Sequence, residues 1–187
     1  MGIFENKFIL RGCVMDRREF FKLGAVAVSV PLVGKSVFAQ KKESLPRLSL
    51  EDLPQKETED AVVYHCDFPQ ENRFHAMLTN MRNHLSAYDF DPFRIKLILV
   101  ANGVGVKFFM KTHKGTKWEK EKIDVKRAEE RLAYLSQFEV EFYICEITIR
   151  GLKLKYENFF DFVKIVPSGV GSVGKLQGNG FGYIKVL

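Results

Sequence analysis

The chain predicts an α/β fold: a three-layer α/β/α sandwich around a mainly parallel five-stranded sheet. Three observations carry this. Apolar runs of strand length fall at 61–64, 95–101, 140–145, 163–166 and 181–186, segments of helical period lie between them, and the two kinds alternate along the chain. That alternation is the mark of a parallel sheet covered on both faces. With 187 residues, 46% hydrophobic content and 17 Phe, there is enough apolar material for one core.

Taken in order, the first strand is Ala61-Val62-Val63-Tyr64, and it runs into the polar cluster His65-Cys66-Asp67. Pro69 opens a segment, 70–88, in which Phe74, Met77, Leu78, Met81 and Leu85 fall three or four apart and so line one helical face. The second strand, 95–101, enters from the Asp91-Pro92 turn and closes at Asn102-Gly103. Apolar residues 104–110 predict a short helix behind the sheet, and the polar stretch 112–122, which holds the single Trp, a surface loop. Asp124 is placed to cap a helix carrying Ala128, Leu132 and Leu135.

The central strand follows. Val140, Phe142 and Ile144 alternate with Glu139, Glu141 and Tyr143, and Cys145 falls where the strand should stop. A helix after Thr148, a short helix or turn within 152–162 with Tyr156, Phe159 and Phe160 inward, and a strand at 163–166 come next. The turn Pro167-Ser168-Gly169-Val170-Gly171, a helix over 172–177 and a last strand at 181–186 complete the series.

The front of the chain differs from the rest. Arg17-Arg18 precedes a moderately apolar segment, 23–33, and then Val37-Phe38-Ala39, which resembles a twin-arginine export signal with a small-x-small cleavage site. The apolar segment is about half of the roughly 20 residues a membrane span needs, so a stable span is not expected once the signal is removed. The expected organisation is an export signal at 1–39, a linker or arm at 40–60 and one domain at 61–187. Met15, directly before the motif, offers a second start, in which case residues 1–14, with Cys13, fall outside the protein. A periplasmic or otherwise exported destination follows, an oxidising compartment where the remaining Cys66 and Cys145 could form a persistent disulfide.

The net charge of +6 is front-loaded. Six basic and three acidic residues precede residue 40, leaving 23 basic against 20 acidic. No stripe of Arg interleaved with aromatics accompanies this, so a nucleic-acid partner is not expected.

Chemistry in open α/β sheets collects outside the carboxyl ends of strands, which is where both cysteines fall. The thiolate is the reactive form, and Arg150 or His65 could favour it at Cys145 while Glu146 would oppose it. If the first strand neighbours the Cys145 strand, as in the flavodoxin order 2-1-3-4-5, the two sulfurs can pair, provided their Cα atoms lie within about 7 Å. His65, Cys66, Asp67 and His75 lie close in sequence but without any established ligand spacing, so no metal is expected. His84 and His113 read as ordinary surface residues. Ser168, Gly169 and Gly171 before a helix could cradle an anion, although a tight turn explains them as well.

Several segments resemble the DsrE/DsrF-like family of small sulfur-handling proteins. They are Val62-Val63-Tyr64-His65, residues 97–103 followed by Gly105-Val106-Lys107, Cys145 with Thr148, and the closing Ile165-Val166-Pro167-Ser168-Gly169-Val170-Gly171, Leu176-Gln177, Gly180 and Gly182-Tyr183-Ile184-Lys185. The resemblance implies an α/β/α sandwich that associates into homo-oligomers, needs no cofactor and, in some members, holds sulfane sulfur as a persulfide on the cysteine matching Cys145. Asn102 stands where a His is frequent, Glu146 where a small residue is common, and Cys66 lies outside the family pattern. The reading that results is an exported sulfur carrier or sulfurtransferase using Cys145, with Cys66, His65, Asn102, Thr148 and Arg150 as neighbours. Its partner would be a sulfur donor or acceptor protein or a small polysulfide. Two alternatives stay open: a non-catalytic oligomeric binding or scaffold protein, and a thiol-disulfide protein using Cys66 and Cys145.

Overall fold

The computed structural model describes residues 44–186; the expected export signal lies outside the described residues. Five strands, β1 (Asp60–Cys66), β2 (Ile95–Ala101), β3 (Glu141–Cys145), β4 (Val163–Val166) and β5 (Gly182–Ile184), form one parallel sheet in the order β4-β3-β2-β1-β5. The α/β class and the parallel sheet are as the alternation predicts. The flavodoxin order is not: β2 lies between β1 and β3, so the two cysteine-bearing strands are separated by a whole strand.

Side-chain parity divides the sheet into two apolar layers. Val62, Tyr64, Cys66, Leu97, Leu99, Ala101, Phe142, Ile144, Val163 and Ile165 face one side. There α1 (Glu71–Ser86), α2 (Val125–Ser136) and a 3-10 helix, Gly103–Phe109, cover them with Phe74, Met77, Met81, Phe108, Phe109 and Leu132. Phe74 stacks on Phe108 at 4.5 Å between centroids. Each such ring withdrawn from water contributes about 1.5–3 kcal/mol, and this layer holds most of them.

The opposite layer is thinner. Val63, Ile98, Val100, Tyr143 and Val166 meet Val173 and Leu176 of α4 (Gly169–Gly178) and Leu53. Leu53 belongs to the arm expected at 40–60, which from residue 44 on is stitched to the domain rather than lying loosely on it. Leu48 N donates to Ile165 O at 2.9 Å and Ile165 N to Pro46 O at 2.7 Å, extending the sheet edge at β4, and Asn179 Nδ2 donates to the carbonyls of Leu53 and Pro54.

Local chemistry sets the boundaries. Asp124 caps α2 by accepting from Arg127 N at 3.0 Å, as expected. Ser168 caps α4 by accepting from Gly171 N at 3.1 Å, so the segment expected as a turn is the helix's first turn. A third helix, α3 (Glu146–Gly151), begins directly after Cys145, three residues ahead of expectation, so Thr148 sits inside it. Three further expectations need correction. Trp118 is buried in the core, which makes 112–122 a clasp over the 3-10 helix. His113 is buried against Lys107 O at 2.8 Å. His84 links Tyr64 Oη, 3.2 Å from its Nδ1, to Asp60 Oδ2, 3.1 Å from its Nε2, tying α1 to β1.

Candidate functional site

Parity places the predicted residues on opposite sides of the sheet. His65, Asn102 and Cys145, at or just past the ends of β1, β2 and β3, face the thin layer and the start of α4. Cys66 faces the thick one.

The thin-layer residues form a row. His65 Nε2 lies 2.8 Å from Asn102 Oδ1, and its Nδ1 lies 3.2 Å from the hydroxyl of Tyr183 on β5. Gly169 closes the row on the far side. A Cβ there would lie 2.8 Å from Asn102 Cβ and 3.1 Å from Cys145 Cβ, so only glycine lets α4 start this close to both. Tyr183 was legible only as part of the closing family segment, because nothing in the sequence says that β5 pairs with β1. The register Val63 to Tyr183 puts its side chain on the His65 face.

Cys145 keeps only 5% exposure, far less than a strand-end position suggests. It precedes α3, whose first turn carries Glu146. The expected opposition of that carboxylate to a thiolate is blunted, because Arg47, Arg150 Nη2 at 2.9 Å and Tyr156 Oη at 3.0 Å all donate to it. Burial works against its charged form, but these hydrogen bonds outweigh that and hold its carboxyl below the usual range. Arg150 is thereby committed to Glu146 instead of to the sulfur. Arg47 comes from the arm and its guanidinium also lies over the Tyr156 ring at 4.6 Å, contacts that no sequence pattern announces.

Thr148 acts on the neighbouring turn. Its Oγ1 accepts from Gly103 N at 2.9 Å, and Gly103, with φ of 55°, supplies the left-handed backbone that turns the chain after Asn102. Ser168 spends its hydroxyl on the α4 cap, and Gly169 and Gly171 belong to that helix, so the three do not form a separate cradle on side-chain chemistry.

Cys66 is not brought to Cys145. Both thiols are free, and with β2 between their strands they stand roughly 10 Å apart across the sheet, beyond disulfide reach. Cys66 is fully buried under Gly105, its Sγ 3.8 Å from the Gly105 carbonyl, and burial, with Asp67 adding repulsion, pushes its thiol well up. It is therefore a poor nucleophile.

Among the described residues, no group of three or more His, Cys, Asp or Glu could hold a metal, and no helix is long and apolar enough to cross a membrane. His75 is buried between helices, its nearest carboxylate Glu71 at 3.6 Å, and lies apart from the row.

No curated protein matches the chain. Among solved structures, the protein of unknown function MTH1491 from Methanobacterium thermoautotrophicum is similar with a TM-score of 0.54 at 23% identity, covering 67% of this chain and 98% of that one, a likeness of fold alone. Residues 69–186 match the DsrE/DsrF-like family, a span from the start of the first helix to the last strand that includes Asn102, Cys145 and Tyr183. The chain belongs to the DsrE/DsrF-like family.

Proposed function

We propose that the protein is a sulfur carrier that accepts sulfane sulfur on Cys145 and passes it on. The observation that carries this reading is the convergence of Cys145, Asn102 and His65 on one face at the carboxyl edge of a parallel sheet, beside a layer packed mainly with apolar side chains. Polar groups gathered at such an edge mark the place where α/β sheets do chemistry.

The step is an exchange between thiols. The sulfur of Cys145 attacks the outer sulfur of a donor persulfide, R–S–SH, and a new S–S bond forms on the protein. The donor's own S–S bond breaks, its electron pair leaves with R–S, and the proton given up by Cys145 completes R–SH. Nothing is oxidised overall, and the reverse step hands the sulfur to an acceptor thiol. The low exposure of Cys145 suits a donor that ends in a protruding sulfur, such as a persulfide on a partner protein or a small polysulfide. Export by the twin-arginine-type signal and association into homo-oligomers belong to the same proposal. The first would place the exchange outside the cytosol, and the second would set other copies beside the site.

The test is thiol release from glutathione persulfide in single turnover. One equivalent per chain is expected from the native protein and from Cys66→Ala, and none from Cys145→Ser. Equal release from Cys145→Ser would end the reading. The low exposure of Cys145 favours one rival, a binding or scaffold protein of the same fold. That rival predicts that Cys145→Ser leaves both the oligomeric state and the physiological phenotype unchanged.

A further inference from the structure

We propose that the rim around Cys145 is a docking surface for an acidic segment of a partner protein, the one that brings or takes the sulfur. That purpose rests on the sulfur-carrier reading; the surface itself does not. Large apolar side chains are exposed at five places among the described residues: Phe93, Tyr134, Ile147, Val170 and Tyr183. Phe93, just before β2, and Tyr134, near the end of α2, belong to the amino edge of the sheet. The other three border the candidate site. Ile147 follows Cys145 by two residues, in the first turn of α3, and is 64% exposed. Val170, 66% exposed, is the neighbour of Gly169, where a Cβ would lie 3.1 Å from that of Cys145. Tyr183 stands at the His65 end of the row. Packing of the two helices does not require these aliphatic side chains, since α3 buries Ile149 and α4 buries Gly169, Ser172, Val173 and Leu176.

Charge selects the occupant. Tyr156 Oη reaches back to Glu146 at 3.0 Å, so the turn after α3, with the exposed Lys153 and Lys155, folds toward the residue that follows Cys145. Arg47 and Arg150 flank the same carboxylate with side chains 53% and 72% exposed, whereas Glu146 keeps 17%. One shielded carboxylate offsets one of these cations, and Glu157 is the other acidic residue of the stretch. The exposed charge beside Ile147 is therefore basic. A second copy of the chain would set these cations against their own kind, and two aliphatic side chains with a tyrosine fall far short of the roughly 800 Å² that each partner of a stable complex buries. An acidic segment with one apolar residue beside its sulfur meets both features, and a small, charge-steered contact suits a partner that must leave after transfer.

The test uses short peptides whose single cysteine is a mixed disulfide with thionitrobenzoate, one peptide rich in Glu and one in Lys, each with a Leu beside the cysteine. The Cys145 thiolate attacks the peptide sulfur, a protein–peptide disulfide forms, and the bond to thionitrobenzoate breaks with its electron pair leaving on the coloured thiolate, so no sulfane sulfur is involved. The adduct is located by peptide mass. At low salt the acidic peptide should react at Cys145 about tenfold faster than the basic one, and the ratio should fall toward one at high salt. Lys153→Glu with Lys155→Glu should abolish or reverse the preference. Ile147→Ser with Val170→Ser should slow both peptides about fivefold while the rate with iodoacetamide, which needs no docking, stays native. Equal rates for the two peptides at low salt, or native peptide rates in the Ile147/Val170 variant, overturn the surface. Dissociation of an oligomer by that variant, read by sedimentation, also overturns it and gives the face to a second copy. Charge preference without persulfide formation on Cys145 keeps the surface and removes the carrier reading, whereas persulfide formation without charge preference removes the surface and keeps the carrier.

Discussion

Cys66 and Cys145 end parallel strands at the same edge of the same sheet, and their fates differ because of parity. Cys66 shares the thick layer with Ala101 and Ile144, where Gly105 packs onto it and its thiol is held protonated. Cys145 points the other way, beside Asn102, under a layer that, among the described residues, is covered mainly by α4 and the arm. The lesson is that a strand-end position does not make a cysteine reactive. What matters is which layer its side chain enters, and therefore what sits above it.

The contrast can be broken most severely at Gly105. A Cβ there would collide with the Cys66 carbonyl and lie 3.0 Å from its sulfur, and backbone cannot move aside as a flexible side chain would. Gly105→Ala is expected to cost about 3 kcal/mol in urea unfolding, at the upper end of overpacking effects. Gly174→Ala, with open space around it, should cost far less.

A smaller effect sharpens the same contrast through pH. Cys66 holds its proton more tightly folded than unfolded, so its contribution to stability is intact below the unfolded thiol's value of 9.0 and is lost as pH rises above it. Stability should fall by about 1.4 kcal/mol for each pH unit from there toward 10, where the buried tyrosines Tyr64 and Tyr143 begin to add their own dependence. Cys66→Ala should flatten that limb of an unfolding curve measured against pH; an unchanged slope would contradict the sealed environment.

The smallest effect is expected at Glu146, on the Cys145 side. Its partners Arg47 and Arg150 are more than half exposed, so solvent screens the ion pairs and they contribute little to stability. Glu146→Gln should therefore change the midpoint of urea unfolding little and the alkylation rate of Cys145 by less than about twofold, because the carboxylate is already neutralised by its neighbours. A large acceleration would mean that Glu146 does act on the sulfur.

Much of this was legible before any coordinates. Strands β2 and β4 are apolar runs, each interrupted by a single lysine, Lys96 or Lys164, and bounded by a turn or a proline, and their limits match the reading residue for residue. The Cys145, Asn102 and His65 positions follow from strand ends, which periodicity marks well. Strand order was not legible, since pairing depends on how crossovers pack and leaves no trace in local pattern. With the order went the two facts that matter most here, the separation of the cysteines and the seat of Tyr183 beside His65. Trp118 and His113 were misread for a related reason: the polar residues around them do not announce that the segment folds back onto the 3-10 helix just before it. The arm's role at the β4 edge rests on main-chain hydrogen bonds, which any sequence could make.

The most direct test maps added sulfur within a single molecule. Reduced native protein is incubated with a persulfide donor, digested after trapping, and the peptides bearing Cys66 and Cys145 are weighed. One extra sulfur atom is expected on the peptide bearing Cys145 and none on that bearing Cys66. Sulfur on Cys66, or on neither, would contradict it.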